Sequence, residues 1–179
     1  MCRLRGAALA AGLVLSTPVT APGAHAAPRA EAGPIDITCP VGSTDTRYRP
    51  GLTIASRDTF VTEEGHVSGC AGTGAQGITG ASFTGTASGT ISCLGGELSG
   101  PTTFRWNNGR SSEIRGTGQI NLKPNGNTVL VKTGEVESGQ FEGATIVLTK
   151  ELLSTDPTAC LTEQGVRSAS GLISLAVIP

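Results

Sequence analysis

Few residues in this chain have side chains suited to catalysis, and their spacing rarely brings them into a known pattern. Histidine occurs twice, at His25 and His66. A Ser-His-Asp site would have to use His66, yet no Gly-x-Ser-x-Gly elbow accompanies it. Glu63 and Glu64 stand side by side, and neighbours on a strand point to opposite faces, so they do not make an acid-base pair. The other glutamates, among them Glu97, Glu113, Glu135, Glu137 and Glu142, are scattered and read as solvent-facing charges. There is no His-x-His, no His-Glu-x-x-His, no EF-hand loop and no phosphate-binding Gly-x-x-x-x-Gly-Lys. The reading is therefore no catalytic residue, no metal and no cofactor.

Cysteine is more informative. Five occur, and Cys2 lies in a stretch read as a leader. Cys39, Cys70, Cys93 and Cys160 remain, with no Cys-x-x-Cys among them, so two disulfides are expected and a zinc site is not. Four cysteines allow three pairings.

Two features have the chemistry to bind a ligand. In Phe104-Arg105-Trp106-Asn107-Asn108-Gly109-Arg110, the single Trp sits near an Asn-Asn-Gly turn beside two arginines. Trp106, Arg105, Asn107 and Arg110 are the candidate ligand-binding residues, suited to stacking on a sugar or to anchoring a protein partner. A core role for Trp106 and Phe104 competes with this, since the chain has only 4 Phe, 1 Tyr and 1 Trp. The second feature is a row of hydroxyls, Ser82, Thr84, Thr86, Ser88, Thr90 and Ser92, on one face of a run. Such a row suits a flat polar surface such as a polysaccharide, or simply water.

These residues must be positioned by strands. Residues 81–93 alternate hydroxyl with small or apolar side chains, the period-two pattern of a β-strand. Gly85 and Gly89 on its inner face are expected to mark bends or bulges. Ile114, Gly116, Gly118, Ile120 and Leu122 repeat the pattern. Strands are also expected from Leu52, His66, Thr102, Thr128 and Phe141, with an apolar closing strand over 172–178. Glu64-Gly65, Asn107-Asn108-Gly109, Pro124-Asn125-Gly126 and Ser138-Gly139 read as turns, and 69–80 as a flexible glycine-rich loop. The 26 Gly of the chain disfavour helix.

The expected fold is all-β: a single-domain antiparallel up-and-down barrel or sandwich of about eight strands with two disulfides. Strand alternation favours Cys39–Cys70 and Cys93–Cys160, at opposite ends of the sheet. That argument reverses if 81–93 is really two strands.

Met1 to Arg5 is basic, Gly6 to Leu15 apolar, and Ala24-His25-Ala26 a small-x-small site. Residues 1–26 therefore read as a signal peptide, 27–48 as a loose N-terminal extension and 49–179 as the β-domain. Formal charge is −1, and −3 once Arg3 and Arg5 leave, which gives no grip on nucleic acid. No run is long enough to insert into a membrane.

The Ala-x-Ala site, the Gly/Thr-rich body and the four spaced cysteines, with Cys70-Ala71-Gly72, Ile91-Ser92-Cys93 and the segment 103–112, resemble small secreted β-rich actinobacterial proteins with no assigned function. Avidin-like barrels use several tryptophans, and enediyne-binding chromoproteins have closely spaced cysteine pairs. This chain has neither. The expectation is a secreted, non-enzymatic binding module for an extracellular carbohydrate or protein; the alternative is a secreted hydrolase or its inhibitor.

Overall fold

A computed structural model describes residues 37–122, 128–152 and 157–179. The expected signal peptide, the first part of the expected extension and the Pro124-Asn125-Gly126 turn lie outside the described residues. Nine strands are present: β1 (Ile37–Cys39), β2 (Val41–Leu52), β3 (Arg57–Ser68), β4 (Gly80–Ile91), β5 (Gly95–Trp106), β6 (Ser111–Leu122), β7 (Thr128–Gly139), β8 (Thr145–Leu152) and β9 (Val166–Ile178). Each pairs antiparallel with its neighbour, and β9 closes on both β2 and β8, so the eight long strands form a closed barrel. Closure leaves the apolar β9 no open edge. Among the described residues the helical structure is a single 3-10 turn, Pro157–Leu161, and no helix is long and apolar enough to cross a membrane.

The barrel starts earlier than expected. β1 and β2 are two pieces of one path along β9: Cys39 faces Leu175, and Ser43 faces Leu172. The path slips by one residue around Pro40, which has no N–H to give to the ladder. Residues 37–48 are therefore wall, not loose extension. Glu64-Gly65 is likewise not a turn but the middle of β3, paired with Asp45 and Thr44. The β3–β4 ladder runs unbroken from Arg57 opposite Ile91 to Ser68 opposite Gly80, so Gly85 and Gly89 do not mark bulges there.

Inward side chains fall into three layers. At one end Phe83, Phe104, Trp106, Phe141, Ile146 and Leu148 belong to a large apolar cluster. Its rings are in contact: Phe83–Phe104 at 5.5 Å, Phe104–Trp106 at 5.7 Å and Trp106–Phe141 edge-on at 5.2 Å. The segment 69–79 lies over this end as a tied cap, with Ile78 buried and Thr38 and Ala71 exchanging backbone hydrogen bonds. At the other end Tyr48, Leu52, Ile91, Leu98, Ile120 and Leu152 belong to a second cluster. Between them runs a polar belt. Cys39–Cys70 ties the first end, and Cys93–Cys160 the second.

Candidate functional site

The belt inside the barrel is built by strand phase. Glu63 follows Val61 on the inner face of β3, Lys132 follows Leu130 on β7, and Lys150 follows Leu148 on β8. Lys150 Nζ donates to Glu63 Oε2 and sits 5.6 Å from the centre of the Phe83 ring. Lys132 Nζ donates to Thr102 Oγ1 at 2.7 Å and lies 4.0 Å from Glu63 Oε1, while the Thr102 hydroxyl reaches that oxygen at 3.2 Å. Gly85 makes this possible: a Cβ there would stand 2.7 Å from both Glu63 Oε1 and Thr102 Oγ1. Among the described residues, every buried side-chain nitrogen and oxygen has a hydrogen-bond partner.

Burial would raise the Glu63 carboxyl, but the ammonium groups of Lys150 and Lys132 and the hydrogen bonds from Lys150 and Thr102 win, holding it below its ordinary value. Burial pushes the Lys132 ammonium down; Glu63 opposes that and Lys150 adds to it. The Tyr48 phenol is pushed up, by burial first and by the Glu63 carboxylate second. The void beside these groups is about 20 Å³, room for about one water. Beside the belt, the described residues leave no room for a ligand larger than water.

The residues of the Trp106 hairpin do not converge on a ligand surface. Trp106 is 3% exposed; its indole N–H donates to Ser112 Oγ at 2.8 Å, and its ring is held between Phe104 and Phe141. This corrects the expectation of a stacking Trp: its position is in phase with Phe104, hence inward. Arg105 is exposed. Asn107 Oδ1 accepts from the N–H groups of Thr79 and Gly80, so it anchors the cap. Arg110 donates to Gln140 Oε1 at 3.1 Å. His66 is exposed, with Nδ1 3.3 Å from Ser43 Oγ. The hydroxyl row is outward and exposed from Ser82 to Thr90. Ser92 is instead buried, and donates to the Gly95 carbonyl.

A wide opening lies in the barrel wall, where β2 leaves β9. Arg47 pairs with Ser168 and Leu52 with Val166, so β2 takes five steps where β9 takes two. The surplus around Tyr48–Gly51 opens the ladder into a cleft of about 730 Å³. Arg47, Arg49, Arg57 and Arg167 line it against one carboxylate, Glu163. Arg57 is half-buried and donates through Nε (2.8 Å) and Nη2 to the Gly51 carbonyl, fixing the surplus in place. Arg47, Arg49 and Arg167 are exposed. Tyr48 lines both this cleft and the inner void, and so forms the partition between them. The sequence reading missed this cluster because whole-chain charge averages it away. The available signal was Arg47-Tyr48-Arg49, two arginines in phase around an inward tyrosine. Compared with family models, with curated proteins and with solved structures, the chain matches none.

Proposed function

We propose that this chain is an exported, non-enzymatic binding module that takes an anionic extracellular ligand in the arginine cleft. One observation carries the reading: four of the chain's 13 basic residues meet at a single opening, opposed by one acid. Guanidinium groups present paired N–H donors that match a carboxylate or phosphate, and the cleft volume lies in the range of small-ligand sites. Two disulfides support an oxidising destination, as does the leader-like beginning of the sequence. Outward positions such as Thr84, Thr86, Gln119 and Glu135 make a wall for water, where a lipid-facing barrel carries an apolar band.

The test is calorimetric titration of the purified protein with glucuronic acid and with inorganic phosphate, at low and high salt. Binding that weakens with salt, and by at least about tenfold in an Arg47→Gln/Arg167→Gln variant, is the expected result. An unchanged affinity in that variant, or no binding of either probe, overturns the proposal.

A further inference from the structure

The cleft does not end at its arginines. Arg49 also lines a second hollow, of about 470 Å³, together with Asp58, Phe60 and Ser88. Phe60 and Ser88 continue into a third, of about 270 Å³, which reaches Arg115. The strand register shows why these line up. Arg49 pairs with Phe60, Phe60 with Ser88, and Ser88 with Ser99, so four outward side chains form one row across β2, β3, β4 and β5. At about 4.8 Å per strand the row spans roughly 14 Å, longer than a single sugar ring. Phe60 is 48% exposed, a large ring placed in the open between hydroxyl-bearing neighbours.

Charge is distributed unevenly along this track. The cleft holds four arginines against Glu163. Beyond it, the Asp58 carboxylate accepts a hydrogen bond from Thr90 at 2.6 Å, and Arg115 is paired with Glu137 at 3.3 Å. Excess positive charge thus occupies one end only, followed by an aromatic ring and hydroxyls with no excess of cations. A nucleic acid carries a phosphate at every step and would require cations throughout. A peptide adding itself as a strand needs an open sheet edge, and the closed barrel has none along this row. A chain in which acidic and neutral rings alternate satisfies both halves of the track: carboxylate on guanidinium, and an apolar ring face on Phe60 with hydroxyls on serine.

We infer that the ligand is an acidic polysaccharide, its charged unit seated among Arg47, Arg49 and Arg167 and an adjoining neutral ring laid on Phe60. This rests on the anion-binding reading of the cleft. The experiment is titration of the full chain with five probes: a hyaluronan tetrasaccharide, glucuronic acid alone, inorganic phosphate, neutral chitotetraose and an oligothymidylate. The tetrasaccharide is expected to bind about tenfold more tightly than glucuronic acid, and each more tightly than chitotetraose. Phe60→Ala should remove that gain while leaving glucuronic acid binding and the melting temperature unchanged, and Phe60→Tyr should restore it. If glucuronic acid binds as well as the tetrasaccharide, or Phe60→Ala changes nothing, the polysaccharide inference falls and the anion cleft stands. If oligothymidylate binds more tightly than the tetrasaccharide, the glycan is the wrong polymer. If neither acidic sugar nor inorganic phosphate binds, both readings fall.

Discussion

Lys150 and Glu63 form an ion pair inside the barrel, their side chains 2% and 10% exposed. They belong to strands far apart in sequence and meet across the interior, with Lys132 4.0 Å from the same carboxyl group. Two cations therefore share one anion in a region bounded by apolar clusters on either side.

The two lysines are expected to differ when replaced. Lys150→Met removes the direct partner of a buried carboxylate and should cost about 3–5 kcal/mol. Lys132→Met leaves the Lys150–Glu63 pair intact and removes a cation whose burial is unfavourable, so it should cost far less or even stabilise. Urea unfolding of the two variants beside the parent settles the order; equal losses would show that the lysines act as one unit.

Acid should act through Glu63. Its folded-state value is depressed, so its contribution is fully present above about pH 4.3, the unfolded value, and is lost as pH falls through the lower folded value. Lys132 acts at the other extreme. Its folded value is also depressed, so the unfolded chain holds that proton more tightly, and stability should rise with pH up to about 10.4. Melting curves of the parent and of Glu63→Gln, taken across pH, should differ at neutrality and converge in strong acid. A constant gap would remove Glu63 from the explanation.

Gly85→Ala is a test of crowding rather than of backbone freedom. The added methyl meets the Glu63 carboxylate and the Thr102 hydroxyl, both held by other partners. A loss of about 1–3 kcal/mol is expected. Gly109→Ala reports on backbone instead: its φ of +83° is the left-handed region, with nothing within 4 Å of a Cβ. If Gly85→Ala is silent, the belt has slack that the structure does not show.

Removing the disulfides should rank by loop length. Cys93–Cys160 spans 67 positions and Cys39–Cys70 spans 31. Chain entropy assigns them roughly 4.4 and 3.7 kcal/mol. Paired Cys→Ala variants, compared by calorimetry, should therefore melt in that order, the Cys93/Cys160 variant lower.

The fold was legible wherever apolar side chains marked the inner face, as in Ile114–Ile120 and in β9. It was illegible where the inner face is polar. β2 presents Gly42, Thr44, Thr46 and Tyr48 inward, so its alternation has almost no hydropathy signal, and it was missed. β3 carries Glu63 and Gly65 inward, which imitates a turn and divided one strand in two. The two errors offset each other, leaving later strands in the right phase, and the pairing of Cys39 with Cys70 and Cys93 with Cys160 came out as the structure has it. The belt itself was readable in principle, since Lys132 and Lys150 share parity with Leu130 and Leu148. For the cleft, Arg47-Tyr48-Arg49 signalled the arginines, but the opening between them depends on a three-residue surplus in β2 relative to β9 that only the register reveals.

That surplus lies on the seam where the cylinder is sewn shut. Arg47 belongs to the first long strand and Arg167 to the last. A guest gripped by both would fasten the first long strand to the last, like a clasp across the lips of a rolled sheet. Occupancy would then announce itself as heat resistance of the entire molecule, growing with the logarithm of guest concentration.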